Sequence, residues 1–515
     1  MEKRILLASV LSLLILLGYN AVIGKHLPKQ AAQAVAPTNL SVPNQAIPEA
    51  VSEAKKPTLV SPISLESKEL ETKRLKVVFT NLGGKISEIW LKDYNVKFFA
   101  PPVLGPVGAE TLPFKFTSAT TDAITLTFQD ANRKITKNFQ IKDDYFINVE
   151  ISSQDLNNNK TAISEINCFN LDLDSLNKDL AFQKEKLFSE VAISLPDKVL
   201  RTNIGKVNSK TRISLSEKVG WLGLREKYFC VLFKPEFTTT GYFIRSGQNN
   251  TVDIGLSVAA PSGLFTGVLY IGPQDAKILV GANSGLEQIV SLGTFDPISK
   301  FMLKILGFLH NIIPNWGLCI IAFSGLIFFA LYPLTLKSMK SMREMQKTQP
   351  QIAALKKQYQ SDPQRLNKEI MELYRVHKIN PFGGCLPLIL QIPVFFALYQ
   401  ALIRSLDLKG SGFLWIKDLS EPDRLMVFNS SIPILGNELN LLPLLMAGVM
   451  FFQQKASMKT TVAADPQQQK LMMIFFPILF GFMFYRFPSG LSLYWVVYSG
   501  LSLFFQWKQT AGQKN

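Results

Sequence analysis

The sequence predicts a multi-span α-helical membrane protein that carries a large β-rich domain outside the cytoplasm. Apolar runs near 1–24, 315–336, 386–404, 440–454, 470–486 and 489–507 supply six candidate spans. The loop between the second and third runs holds Lys337, Lys340, Arg343, Lys347, Lys356, Lys357, Arg365, Lys368, Arg375 and Lys378 against only Glu344, Asp362, Glu369 and Glu372, which the positive-inside rule places in the cytoplasm. Between the first two runs, residues 71–295 alternate apolar and polar side chains, with β-branched and aromatic residues between Gly or Asp-Asn turns, the pattern of half-buried strands.

Residues 1–24 begin with Glu2, Lys3 and Arg4 and continue through about twenty mostly apolar residues, enough to cross a hydrocarbon core of roughly 30 Å. A cleavable signal has an apolar stretch of only about 7 to 15 residues, so an uncleaved anchor is favoured, although the Ala-rich run after Gln30 could host a cleavage site. Residues 25–70, rich in Ala, Pro, Val and Ser, read as a tether. The β-rich domain at 71–295 follows. Residues 296–313 put Ile298, Phe301, Met302, Ile305, Leu306 and Leu309 on one helical face and Lys300, Lys304 and His310 on the other. Such a helix lies in the outer interface or packs on the β domain.

The remaining five runs form a helical core over 314–507, including a cytoplasmic hairpin at 337–383. Its helices are expected at 338–360 and 364–378, broken at Ser361-Asp362-Pro363, because Pro disfavours helix in the residue before it. Ile352, Leu355 and Tyr359 can then face Ile370, Leu373 and Tyr374. An elbow of Asn380, Pro381, Gly383, Gly384 and Pro387 turns the chain back into lipid. Six crossings put both termini in the cytoplasm, with a short tail at 508–515, and leave the acidic loop of Asp407, Asp418, Glu421 and Asp423 outside.

The net charge of +16 is not gathered into a basic, aromatic-interleaved face, so no nucleic-acid specificity is encoded. Four scattered cysteines, Cys168, Cys230, Cys319 and Cys385, lack metal-ligand spacing, and whether Cys168 and Cys230 pair is left open. There is no phosphate-binding G-x-x-x-x-G-K-[ST] loop, and no catalytic residue, metal or cofactor is predicted. A secondary transporter would need ionisable residues at the midplane, and a membrane-tethered carbohydrate enzyme would normally need His or carboxylate acids and bases. The three histidines, His26, His310 and His377, all lie outside the β domain.

The spans are odd for passive anchors. They contain Pro333, Pro387, Pro393 and Pro477, whose missing amide donors need help from neighbours or water. They also contain Ser324, Gln391, Gln400, Ser492, Tyr494, Tyr498 and Ser499, which in lipid prefer a bundle interior or a wet cavity. The strictly apolar parts of the fourth and fifth runs cover only about 18 and 22 Å, which predicts local thinning of the bilayer.

The stretch NPFGGCLPLILQIPVFFALY at Asn380 to Tyr399, with YPLT at Tyr332 to Thr335, QP at Gln349-Pro350, FLWIKDLSEPD at Phe413 to Asp423 and FPSGLSLYW at Phe487 to Trp495, resembles the YidC-type bacterial membrane protein insertases in their long Gram-negative form. The resemblance implies a periplasmic domain of β-supersandwich type, similar to sugar mutarotases, and a location in the bacterial inner membrane. It further implies a hydrophilic groove open to cytoplasm and lipid, through which newly made transmembrane segments enter without nucleotide hydrolysis. Nascent membrane proteins, membrane lipids and the Sec translocon are the implied partners, with the ribosome and signal recognition machinery as further ones. Groove or substrate contact falls on Ser324, Phe328, Gln391, Gln400, Ser492, Tyr494, Trp495 and Tyr498, and substrate helices slide along Leu388 to Tyr399 and Ile474 to Phe484. Hairpin contacts fall on Lys340, Arg343, Lys347, Lys356 and Lys357. Many relatives carry Arg four residues before the Tyr of YPLT; here that residue is Phe328, and Arg404 and Arg486 lie too near the outer surface to replace it. The groove is therefore expected to work by hydration and thinning.

Overall fold

The computed structural model describes residues 64–98, 100–156, 164–179, 186, 188–207, 212–246, 250–258, 263–281, 285–293, 295–377, 379, 386–432, 436–458 and 466–511. The expected anchor at 1–24, nearly all of the tether, and Asn380, Pro381, Gly383 and Gly384 of the elbow lie outside that set.

Alternating segments form antiparallel strands because each can bury one face. The strand Ala123–Gln129 buries Ile124, Leu126 and Phe128 and turns its threonines outward. A nine-stranded sheet runs in the order Val199–Asn203, Glu190–Ser194, Trp221–Arg225, Phe229–Pro235, Leu264–Pro273, Phe146–Asp155, Arg133–Asp143, Ala123–Gln129, Lys115–Ala119. A five-stranded sheet runs Arg212–Leu215, Thr239–Ser246, Thr251–Val258, Glu165–Asp172, Pro102–Pro106. A four-stranded sheet built from Ser67–Glu71, Leu75–Thr80, Lys85–Leu91 and Val96–Lys97 completes the domain. One apolar core joins all three, with Phe79 of the small sheet 4.8 Å from Phe139 of the large one. The first strand starts at Ser67, inside the segment read as tether: its sequence SKELE buries only Leu70, so it shows no alternation.

The most deeply buried cation among the described residues lies in this core. Lys137 is fully buried, and its Nζ donates to Gly83 O at 2.8 Å and Val103 O at 3.3 Å while lying 5.1 Å from the Phe114 ring. Burial drives its ammonium down to about 7, against a smaller opposing pull from Glu110. Cys168 and Cys230 are buried free thiols, not a disulfide.

Among the described residues eight helices follow: α1 Asp296–Ile312, α2 Trp316–Lys347, α3 Gln349–Gln358, α4 Pro363–Val376, α5 Leu386–Arg404, α6 Leu441–Met458, α7 Pro466–Phe484 and α8 Ser489–Ala511. Helix α1 matches the amphipathic stretch, buries Met302 and Leu306, and exposes Ile298, Phe301, Phe308 and Ile312. Helix α2 differs from expectation. It runs without a break through Pro333 to Lys347, absorbing the first part of the hairpin, because residues 337–347 carry strong helix formers and no stop signal before Thr348 and Pro350. Helices α3 and α4 then pack together, with Asp362 capping α4 through Arg365 N at 3.0 Å.

The six expected crossings are not all reproduced. Among the described residues, one helix, over Trp316–Ser341, is long and apolar enough to span on its own. Shorter apolar helices lie at Leu390–Arg404, Leu441–Ala456 and Met473–Phe484. The helices that contain them, α5, α6 and α7, have 19, 18 and 19 residues and extend about 27–29 Å at 1.5 Å per residue, close to a core of roughly 30 Å.

Candidate functional site: a polar seam between helices

Helix α8 packs against α2 and α6, α7 packs on α6, and α5 packs on α1 and α2. The order leaves α5 and α7 as the two flanks of the bundle. They meet near the end that faces the β domain, where Phe395 of α5 lies 5.5 Å from Phe484 of α7, and both lie against Trp495 of α8 at 6.3 and 6.0 Å. Away from this aromatic pin the flanking helices expose apolar side chains, Leu390 and Ile392 on α5 and Ile474 and Ile478 on α7.

Behind the pin, polar side chains are enclosed. Gln391 of α5 is 4 % exposed and donates through Nε2 to the Tyr494 hydroxyl of α8 at 2.6 Å; Tyr494 itself is 0 % exposed. Tyr498 stacks one turn on, 5.9 Å from Tyr494. Three buried polar atoms in the seam, Gln391 Oε1, Ser492 Oγ and Trp495 Nε1, have no hydrogen-bond partner among the described residues. Such atoms carry a desolvation cost of about 1–3 kcal/mol each unless matched. Gln391, Tyr494, Trp495 and Tyr498 are thus brought together, with Ser492 buried on the same helix α8; Gln391 and Tyr494 are closed off, while Trp495 and Tyr498 are half-buried.

Of the other expected site residues, Phe328 borders the seam at Tyr498. Ser324 is buried, and its hydroxyl donates back to Ile320 O at 2.6 Å within its own helix. Phe328 is 2 % exposed among Tyr332, Tyr498 and Phe505, at ring distances of 5.7, 5.7 and 5.3 Å. Gln400 faces the β domain instead, accepting from Phe295 N at 3.3 Å; Gly293 lies so close, at φ +104°, that any Cβ there would meet the Gln400 amide. In the hairpin, Lys340 and Lys357 are exposed, Lys356 is half-buried and Lys347 pairs with Glu344 at 2.9 Å. Arg343 and Pro387 belong to α2 and α5, and their side chains lie outside the described set.

Two stretches singled out in the sequence bind each other. Ser489 and Gly490 at the start of α8 donate their backbone N–H to Glu421 O and Leu419 O at 2.7 and 2.9 Å. Asp423 is buried and accepts from Leu441 N at 2.7 Å, Leu442 N at 3.1 Å and Trp415 Nε1 at 3.1 Å, capping α6. The loop between α5 and α6 therefore holds the pinned ends of the helices in place.

Comparison with known proteins identifies this arrangement. The family model described as 60Kd inner membrane protein matches residues 308–514, and that described as YidC periplasmic domain matches 109–305. The membrane protein insertase YidC of Syntrophus aciditrophicus is 33 % identical over 562 residues, covering 98 % of each chain. The chain belongs to the YidC family of membrane protein insertases. The YidC of Pelobacter propionicus is 31 % identical, again with 98 % of each chain covered. A solved YidC insertase, 17 % identical, overlaps 87 % of this chain and 94 % of its own at a TM-score of 0.38. A galactose mutarotase-like protein from Lactobacillus casei, 10 % identical, overlaps 40 % of this chain and 100 % of its own at 0.30. Family membership rests on the sequence matches rather than on these superpositions. In YidC terms the β-rich part is the periplasmic domain and the helical part the inner-membrane core.

Proposed function

We propose that this protein inserts transmembrane segments of newly made proteins into the bacterial inner membrane, through the seam between α5, α7 and α8, without nucleotide hydrolysis. The observation that carries this reading is the seam itself: a cross-helix hydrogen bond and three unpartnered polar atoms enclosed between helices that are pinned at one end. Its unmet hydrogen-bonding capacity favours any state in which water or the polar flank of a substrate enters. The aromatic pin keeps the far side shut while the exposed apolar faces of α5 and α7 offer a path into lipid.

Free energy for the step comes from the substrate. Each Leu, Ile, Phe or Val placed at the bilayer centre gains about 0.3 to 0.6 kcal/mol, so a whole span supplies several kcal/mol. The obstacle is the passage of polar flanks through hydrocarbon, and the short strictly apolar parts of α6 and α7, about 18 and 22 Å, lower it by thinning the bilayer. No covalent step or cofactor is required, and Phe328 supplies no charge.

Six spans with both termini in the cytoplasm, a periplasmic domain of β-supersandwich type and a cytoplasmic α3–α4 hairpin complete the reading. The hairpin's exposed lysines suit contact with emerging chains, lipid phosphates, the ribosome or signal recognition machinery. The Sec translocon is a further partner for larger substrates. Purified protein in liposomes, given a small single-span substrate and no nucleotide, should yield protease-protected insertion well above protein-free liposomes; equal protection in the two would refute it.

A further inference from the structure

Where the nine-stranded sheet meets the β-domain end of α5, three guanidinium groups gather around two carbonyl oxygens. Arg225 Nη2 and Arg404 Nη1 both donate to Ser291 O, at 2.5 and 2.9 Å, and Arg201 Nη2 donates to Gln288 O at 2.8 Å. Arg225 is 2 % exposed; its Nε and Nη1, together with Arg201 Nε, are buried and have no hydrogen-bond partner among the described residues. Arg201 and Arg404 are only half-buried, so the cluster has a closed floor and a rim that reaches solvent.

The carboxylates that face the cluster do not balance it. Glu190 Oε2 stands 3.5 Å from Arg225 Nη1 and accepts no hydrogen bond. Asp296 is already engaged by Lys300 at 2.8 Å and by Leu292 N at 2.6 Å. Burial first, and the neighbouring Arg404 charge second, push the Arg225 guanidinium down to about 10, still charged at neutral pH. Two cations on one neutral carbonyl oxygen, with unpaired donors beside them, form an environment that a multivalent oxyanion satisfies, since the guanidinium fork matches phosphate oxygens two at a time.

We propose that Arg201, Arg225 and Arg404 form a binding site for a phosphate-bearing anion at the junction of the β domain and the helical core. Arg225 is the floor and Arg201 and Arg404 are the rim. Two sources offer that chemistry: free phosphate, and the headgroup of an anionic phospholipid. The second is on hand because α1 begins beside the cluster at Asp296 and exposes Phe301 and Phe308. The site is independent of the polar seam and of the insertase reading.

The test uses the full-length protein in nanodiscs of phosphatidylcholine, with or without phosphatidylglycerol. The thermal midpoint is measured with inorganic phosphate against chloride at matched ionic strength, and native mass spectrometry records retained phosphatidylglycerol. Free phosphate as the source predicts a midpoint that rises with phosphate in phosphatidylcholine discs. A headgroup as the source predicts retained phosphatidylglycerol and no further response to phosphate. In either case R201Q and R404Q should weaken the probe about tenfold each, the loss of a charge-assisted hydrogen bond. R225M should abolish binding; if it fails to fold, the two rim variants carry the test. No response to either probe, or variants that respond as the wild type does, overturns the proposal.

Discussion

Removing the polar character of the seam without changing its shape separates hydration from packing. In the double variant Q391L/Y494F, the 2.6 Å hydrogen bond between Gln391 and Tyr494 is lost together with the orphaned Gln391 Oε1. Because both partners become apolar groups of similar shape, folding should be nearly neutral; interhelical hydrogen bonds in membranes average only about 0.6 kcal/mol. A substrate's polar flank, by contrast, loses partners worth about 1–2 kcal/mol during passage, and about 1.4 kcal/mol corresponds to a tenfold change in rate. Insertion of a single-span substrate with a charged translocated tail should therefore slow about tenfold, while one with a short apolar tail keeps its wild-type rate. Protease protection over time in liposomes, with wild-type and variant protein at equal density, reads both. Equal rates for both substrates in wild type and variant would refute the role given to the seam.

Three further outcomes follow from individual side chains. Lys137 has an ordinary value of 10.5 that burial lowers to about 7, so below pH 7 both folded and unfolded states hold its proton and the buried charge weakens the domain. As pH rises from 7 to 10.5 only the unfolded state keeps the proton, so stability rises, by roughly 5 kcal/mol over the window; urea midpoints of the β domain, read by pulse proteolysis, should climb with pH in wild type and stay flatter in K137M. D423A removes the acceptor of Leu441 N, Leu442 N and Trp415 Nε1 and should cost about 2–4 kcal/mol, seen as a lower thermal midpoint and faster proteolysis of the α5–α6 loop. F328R places a guanidinium among Tyr332, Tyr498 and Phe505; if hydration and thinning drive the step, the ratio of acidic-tail to neutral-tail insertion stays unchanged, whereas a selective gain for acidic tails would favour attraction by charge.

What the sequence reveals here is governed by periodicity and by punctuation. Helix α1 is readable because Met302 and Leu306 recur on one face, and α4 because Asp362 and Pro363 mark its start. The strand at Ser67 is hidden because an edge strand with one buried residue has no period. The unbroken α2 is hidden because the apolar run ends at Leu336 and the basic residues after it read as a separate hairpin helix, whereas helix formers carry the same helix on to Lys347. Polar residues in the spans point to the seam, but single residues do not announce which face they take: Gln391 turns to Tyr494 whereas Gln400 turns to Phe295 N. The Arg201, Arg225 and Arg404 group has no motif at all, since its members come from two separate strands and the end of α5 and converge only in the fold.

The central claim is that the seam is shut at rest and becomes wet when a substrate engages. In a chain whose native cysteines are replaced, S492C labelled with a membrane-impermeant maleimide in liposomes measures this directly, with and without a substrate stalled during insertion. The account predicts little labelling at rest, where Ser492 is 1 % exposed, and strong labelling with the stalled substrate. Equal protection in both states would contradict it.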